Sequence, residues 1–576
     1  MPIEQLITTL LSCIFFMGLV AWYSYSKTKG EVDSKDGYFL AGRGLTGTFI
    51  AGSMLLTNLS AEQLIGLNGS AYMYNLSAMA WEVTAGFATI IMALVFLPRY
   101  LSGAFTTLPE FLKSRFDDSV RRMTVVLFMV GYGLVTIPSI LYSGSVAVLR
   151  LFDIPELLNV NYEIALVITI ISVGSIGALY AIFGGLKAVA VSDTLNGVGL
   201  LIIGILVPVL GFSLLGGGDV MAGVNTVMTT HTEKLNAIGA PDDPVPFGTI
   251  FTGMIFANLF YWCTNQYVIQ RTLGAKNLAE GQKGVLLSGY FKLLIPFLMM
   301  VPGIIAFHLY QGETLPSFDL AYPMLVKDVL PVYLSGFFLA VLLGTVFSSF
   351  NSLLNSAATL FCLDIYLPMK KNKVSDKELI KVAKIASVVI ALFSFIVAPI
   401  LMFAPDGLWQ IIRIFTGFYN IPVITIVLVG FFTSHVPAVA AKVVIIFHVI
   451  TYAVLKFIIE IDINFIHIYA ILFVVETAIM LTIGKLYPRT SHLIYTKNTI
   501  VNLTPWKYAL PVAINLVACI LMLYVLFSPI GLVNGLSPSF WGVISVIVAV
   551  NIVMCALSLN VWKKKYEHNL EETNHI

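Results

Sequence analysis

Apolar stretches of about 20–30 residues follow one another from Gln5 to Trp562, separated by short polar segments. Each is long enough to cross a hydrocarbon core of roughly 30 Å as a helix. The pattern predicts about fifteen spans, near residues 5–25, 46–70, 77–98, 121–147, 161–183, 187–215, 248–271, 284–309, 329–365, 380–404, 407–432, 436–459, 462–484, 506–527 and 537–562. The first stretch, "LITTLLSCIFFMGLVAWYSY", lacks a basic leading region and a small-residue cleavage site. It reads as a retained helix.

Two spans break the pattern. "LLTNLSAEQLIG", residues 55–66, packs Thr57, Asn58, Ser60, Glu62 and Gln63 into the second span. Asn58 and Ser60 compete for backbone hydrogen bonds, so "TNLSAEQ" predicts an unwound segment. Gly66 and Gly69 would allow close packing beyond it. The seventh span, "IFANLFYWCTNQYVIQR", carries a second polar-aromatic interruption near Tyr261–Asn265. In lipid an irregular backbone is tolerated only where it lines a protein-walled or watery cavity. Interrupted helices five spans apart predict an inverted five-plus-five repeat with a binding site between them. The expected organisation is an N-terminal extra helix and cytoplasmic loop (1–45), a first repeat (46–215), an extracellular loop (216–247), a second repeat (248–432), and C-terminal extra helices with a short cytoplasmic tail (433–576). The loop is turn-rich and has room for one short helix.

Composition sharpens this picture. The chain of 576 residues is 58% hydrophobic and 11% charged, with mean hydropathy +0.90. It leaves no room for a soluble catalytic domain. Lys and Arg gather in cytoplasmic loops. With the N-terminus outside and alternating spans, the inner side receives nearly all loop cations, including Arg99, Arg115, Arg121, Arg271, the Lys370–Lys384 cluster and Lys563–Lys565. The outer side receives Arg150, Lys234, Lys327 and Lys456. The prediction is a multi-pass protein of the plasma (inner) membrane with a cytoplasmic C-terminus. The net charge of +2 gives no reason to expect a nucleic-acid or protein partner. Cys13, Cys263, Cys362, Cys519 and Cys555 lack motif spacing and read as buried small hydrophobes. The histidines lack metal-ligand spacing, and no nucleophile constellation stands out, so an enzyme is not expected.

Lys292, Arg413, Glu62, Glu82, Asp193 and Glu476 fall inside spans. Such groups cost several kcal/mol at the bilayer centre unless they meet a partner or water. Two readings stand: a hydrated transport pathway, or buried pairs such as Glu82 with Lys292 or Arg413 that lock helices together. Glu476 belongs with the second. A hard cation such as Na+ prefers oxygen ligands, and "GTVFSSFNS" offers Thr345, Ser348 and Ser349 beside the carbonyls of the broken second span.

The blocks "NLSAEQLIGLNGS", "YAIFGGLKAVAVSD", "ANLFYWCTNQYVIQRTLGAKN", "FKLLIPFLMMVPGI" and "FSSFNSLLNSAATLFCLDIY" resemble the sodium/solute symporter family, specifically its sodium–galactose/glucose branch, over roughly residues 5–485. The resemblance implies an all-α polytopic fold of the LeuT-like inverted-repeat type with extra flanking helices. It implies a sodium site built from backbone oxygens of Leu56, Leu59 and Thr345 and hydroxyls of Ser348 and Ser349, with Asp193 on the sodium exit path. Sugar contacts carried over are Asn58, Gln63, Glu82, Asn258 and Lys292. Tyr261 matches an inner-gate aromatic; Leu67, Trp81 and Trp409 match an outer hydrophobic gate. The chain departs from the branch at Arg413, where sugar transporters hold a glutamine before "xxTG", and at Ala85, where they hold a serine. The fifteenth helix also exceeds the common fourteen-span plan.

The resulting expectation is a Na+-coupled symporter without an organic cofactor, importing a small polar solute across the lipid bilayer. A hexose-type sugar is the leading substrate. An anionic sugar or other organic anion is the alternative, with Arg413 joining the substrate contacts. A channel or uncoupled facilitator would be the alternative of another class.

Overall fold

A computed structural model describes residues 3–29, 33–243, 245–311, 318, 321–371, 373–403, 408–459, 461, 463–490 and 500–574. Among these, regular structure is helical, apart from two isolated bridges. Helix α1 spans Ile3–Thr28. The first broken helix comprises α2 (Gly47–Asn58) and α3 (Ala61–Met73). Helices α4 (Leu76–Ser102), α5 (Asp118–Leu149), α6 (Tyr162–Leu179) and α7 (Gly185–Leu215) follow. The second broken helix comprises α8 (Gly253–Cys263) and α9 (Gln266–Leu273). Then come α10 (Leu278–Leu309), α11 (Val332–Met369) and α12 (Asp376–Met402). Helices α13 (Leu408–Phe432), α14 (Ala438–Phe457), α15 (Phe465–Leu486), α16 (Ala509–Leu526) and α17 (Pro538–Asn574) complete the chain. Thirteen of the described helices are long and apolar enough to cross a membrane. The two broken pairs fill the second and seventh predicted positions.

Local chemistry explains the irregularities. Leu59 and Ser60 are extended between α2 and α3. Thr264 and Asn265 separate α8 from α9. The kink between α6 and α7 falls at Gly185, whose φ is +58° and where a Cβ would lie 2.8 Å from the Tyr38 carbonyl oxygen; only glycine suits both constraints. Three π turns, Met92–Phe96, Tyr132–Thr136 and Leu360–Tyr366, each run into a proline, at 98, 138 and 368. The wider turn lets the helix pass a ring that lacks an N–H and crowds the preceding carbonyl.

The broken helices lie at the centre. α2 packs against α7, α10 and α11; α8 packs against α4, α13 and α15; α9 reaches α2 and α11. The apolar stretch of α11 has 94% of its residues buried, that of α17 only 6%. α11 is therefore scaffold, whereas α17 turns most of its apolar surface outward, where lipid would cover it. Among its described residues, the 216–247 loop holds a short α-helix, Val220–Thr229, and a 3-10 turn, Thr232–Leu235, one more than its length predicts. Lys234 of that loop donates to the carbonyls of Tyr72 (2.8 Å) and Met73 (2.9 Å). A cation there satisfies the carbonyl end of α3 and its dipole.

One packing expectation is corrected. A Cβ on Gly66 would meet nothing within 4 Å, so this glycine does not enable a close approach. Close packing falls instead at Gly303, where a Cβ would lie 2.1 Å from the Asn68 carbonyl oxygen; the Gly303 N–H also donates to Asn68 Oδ1 at 2.8 Å. Gly66→Ala should hold or raise the melting temperature, since alanine favours helix by about 1 kcal/mol. Gly303→Ala should destabilise by about 1–3 kcal/mol through overpacking. Thermal unfolding in detergent compares the two.

Candidate functional site

The breaks open onto one central cavity. Asn58, Ser60 and Gln63 come from the first broken helix, and Asn258, Tyr261 and Asn265 from the second. Trp81 and Glu82 of α4, Ser349 of α11 and Tyr419 and Asn420 of α13 also line it. A helix end exposes polar backbone, and the cavity is where that backbone can meet a polar guest.

Glu82 organises one wall. Its Oε1 accepts from Gln63 Nε2 at 3.0 Å, and its Oε2 accepts from Lys292 Nζ of α10. Lys292 is fully buried and also sits 5.1 Å above the Trp262 ring. The sequence reading made Lys292 a direct contact. In the structure it touches the cavity wall through Glu82 and is not among the lining residues. Of the two cations the sequence offered Glu82, Lys292 is the one that meets it among the described residues. The side chains of Glu62, Trp409 and Arg413 lie outside the described residues. Asn258 Nδ2 donates to Thr84 Oγ1 at 2.9 Å, next to the buried Ala85.

Three atoms stand out. Asn58 Oδ1, Ser60 Oγ and Gln63 Oε1 are buried and have no hydrogen-bond partner among the described residues, and their residues all line the cavity. Buried polar atoms are normally satisfied, so a convergent set without protein partners marks a place for a polar ligand. On one side of the cavity, Tyr267 Oη donates to Tyr261 Oη at 2.9 Å, and Tyr132 Oη donates to Asn265 Oδ1 at 2.5 Å. Trp81 lines the cavity, whereas Leu67, paired with it as an outer gate, is buried away from the lining.

The candidate ion ligands separate onto two faces. Ser349 Oγ lies 3.3 Å from the Leu56 carbonyl oxygen and 3.4 Å from that of Thr57. Thr345 is buried, its hydroxyl donating to the Leu342 carbonyl at 2.7 Å, and Leu59 sits at the α2 break. Ser348 faces a smaller cavity with Ser192, Asn196 and Asn351. Asp193 Oδ2 accepts from Ser53 Oγ at 2.6 Å, and Arg271 Nε donates to that same hydroxyl at 3.0 Å. Arg271 also donates to the Tyr267 carbonyl and Ser352 Oγ. Charge counting placed Arg271 and Arg115 among cytoplasmic loop cations; both are fully buried. Arg115 spends its guanidinium on the carbonyls of Gly430, Thr433 and Val436.

Sequence reasoning missed Tyr419, Asn420 and Tyr469 as lining residues, and Tyr132, which does not line the cavity but holds the lining residue Asn265. Asn420 had a faint signal, a lone amide beside a proline in "FYNIP". Tyr132 and Tyr469 sit in ordinary apolar helices and had none. Glu476 does form a locking pair, with His448.

The sodium:solute symporter family profile matches residues 38–446. The chain is 41% identical over 561 residues to "Uncharacterized symporter YidK" of Escherichia coli (strain K12), covering 97% of each. It is 32% identical to the "Sodium/glucose cotransporter" of Vibrio parahaemolyticus, covering 72% of this chain and 78% of the relative. It is 28% identical to human "Sodium/myo-inositol cotransporter 2", covering 73% and 65%. In fold, it is similar to a substrate-bound, outward-open Na+-coupled sialic acid symporter, with TM-score 0.73 at 20% identity over 84% of this chain and 99% of that one. A LeuT-like multi-pass helical protein built around two broken helices, matched along most of its length by these transporters, belongs to the sodium:solute symporter family and is a Na+-coupled symporter.

Proposed function

We propose that the solute is a neutral hexose-type sugar, imported with Na+ by alternating access, the N-terminus lying outside and the C-terminus in the cytoplasm. The observation that carries this reading is the set of three unpartnered buried atoms, Asn58 Oδ1, Ser60 Oγ and Gln63 Oε1, in a cavity walled by Trp81, Tyr261 and Tyr419. Sugar hydroxyls need paired donors and acceptors, and a ring face suits an aromatic plate. Among the described lining residues, Glu82 alone carries a formal charge, and Lys292 already neutralises it. Asn58, Gln63, Glu82 and Asn258 would bind the sugar, with Tyr261 as the inner plate and Lys292 holding Glu82 in place. The names of the sodium/glucose and sodium/myo-inositol relatives favour the same polyol chemistry.

An anionic sugar is the second reading, and Arg413 favours it. It lies on α13, the helix that also supplies Tyr419 and Asn420, three residues before Thr416. A guanidinium keeps its charge and suits a carboxylate bidentately. Uptake into proteoliposomes under a Na+ gradient, with galactose, glucose, a uronate and a sulfated sugar competing, separates the readings. Competition by neutral hexoses in both wild type and Arg413→Gln supports the neutral sugar. Competition by anions alone in wild type, with hexoses gaining in Arg413→Gln, overturns it. Saturable uphill uptake distinguishes coupled transport from a channel or facilitator.

For the ion, an all-oxygen set of the carbonyls of Leu56, Leu59 and Thr345 and the hydroxyl of Ser349, with Ser348 reaching in from the face of the smaller cavity, would suit a hard cation. The approach of Ser349 Oγ to the Leu56 and Thr57 carbonyls supports that grouping. Asp193 would serve the inner exit. Ser349→Ala should raise the Na+ concentration for half-maximal transport severalfold with little loss of folding, and Ser348→Ala should do so less. Transport measured against Na+ checks this; unchanged half-saturation in both and in the double variant would place the ion elsewhere.

Glu82→Gln should be the most damaging single change in this wall. It leaves the Lys292 ammonium buried without its counter-charge, a situation that costs about 3–5 kcal/mol. Glu82→Gln combined with Lys292→Met should recover the melting temperature but not sugar uptake. Thermal unfolding beside uptake reads both.

A further inference from the structure

His448 of α14 and Glu476 of α15 lie outside the cavity and are both fully buried. His448 Nδ1 is 2.5 Å from Glu476 Oε1, and His448 Nε2 is 2.8 Å from the Gly417 carbonyl oxygen. A carbonyl only accepts, so Nε2 carries a hydrogen. The imidazole therefore bridges the Glu476 carboxyl group and the Gly417 carbonyl.

Both ends of this pair grip α13 where its ladder is weakest. Pro422 lies inside α13 and has no N–H to offer the preceding turn. The Ile421 N–H is 2.7 Å from Asn420 Oδ1. His448 takes the Gly417 carbonyl on one side of the proline, and Thr425 Oγ1 lies 3.0 Å from Glu476 Oε2 on the other. The Tyr452 ring stacks on His448 with centroids 5.6 Å apart. A Cβ at Gly417 would come within 2.2 Å of Tyr452 Oη, so the grip depends on a glycine. The residues between the two grips include Tyr419 and Asn420, which line the cavity, as does Thr416 just before them.

We propose that the bonded pair His448 and Glu476 are positioning residues for transport: they fasten α13 around its internal proline to α14 and α15, and so set the cavity wall formed by Thr416, Tyr419 and Asn420. The pair acts through the Gly417 carbonyl and does not touch the solute. It is independent of which solute is carried.

Amide hydrogen exchange of the segment 416–425, read on the full protein in lipid nanodiscs with Na+ present, tests this, with the melting temperature as the global control. His448→Phe and Glu476→Leu should each speed exchange of this segment about tenfold or more and leave α7 unchanged. Glu476→Gln should stay within about twofold of wild type, because its amide donates to Nδ1 of a neutral imidazole and the Nε2–H remains on Gly417. The double variant His448→Phe/Glu476→Leu fills the space with apolar groups and should regain the melting temperature while exchange stays fast. Recovery of slow exchange in the double variant would make the pair mere packing and overturn the proposal. So would wild-type exchange in His448→Phe, or loosening in Glu476→Gln as large as in Glu476→Leu.

Discussion

A polypeptide inside a bilayer has no water to satisfy its backbone, so every break in a helix must be enclosed by protein or face a polar guest. The architecture follows from that constraint. The breaks at Leu59–Ser60 and Thr264–Asn265 interrupt two helices at the centre of the bundle. Helices that could stand alone in lipid, α1 and α17 among them, sit at the edge. Helices α7, α10 and α11 enclose α2, and α4, α13 and α15 enclose α8. The cavity is what remains between the breaks once the surrounding helices have packed.

The same scarcity of water governs the charges. No described ionisable group at the centre is left to itself. Glu82 is shared by Gln63 and Lys292, and Asp193 is linked through Ser53 to Arg271. Each network ties together separate helices of the bundle. Glu82 and Gln63 join α4 to α3, while Lys292 belongs to α10. Arg271 joins α9 to Ser53 of α2 and Ser352 of α11. Breaking one partner of such a pair costs more than the pair contributes, so these links restrict which rearrangements the bundle tolerates.

The cavity divides its work by chemistry. Unpartnered amide and hydroxyl atoms come from the first broken helix, aromatic faces from Trp81, Tyr261 and Tyr419, and oxygen atoms near Ser349 from the α2 break and α11. A solute and a cation bound side by side would thus both contact the α2–α3 junction. Under the proposed sites, that shared junction would give a physical route for coupling, because ordering it for one guest lowers the cost of ordering it for the other.

The sequence by itself determined what depends on neighbours in the chain. Apolar runs located the spans, most ends to within a few residues though α10 starts earlier and α17 ends later, and Asn58–Ser60 and Thr264–Asn265 fell inside the stretches where polar residues interrupt them. The boundary between the predicted spans 161–183 and 187–215 landed on Gly185, because a positive φ and a close carbonyl leave glycine alone suitable. Partners could not be read that way. Arg271 and Arg115 counted as loop cations by position, and only the packed bundle shows them wholly enclosed with carbonyl and hydroxyl acceptors. Gly66 resembled a packing glycine, yet the close approach is at Gly303, on a helix more than two hundred residues away. Glu82 had two candidate cations, and tertiary structure gave it Lys292. Helical periodicity and breaks arise from a few consecutive residues, whereas the partner of a buried charge is decided by which distant helix face comes within about 3 Å, a distance no local pattern encodes.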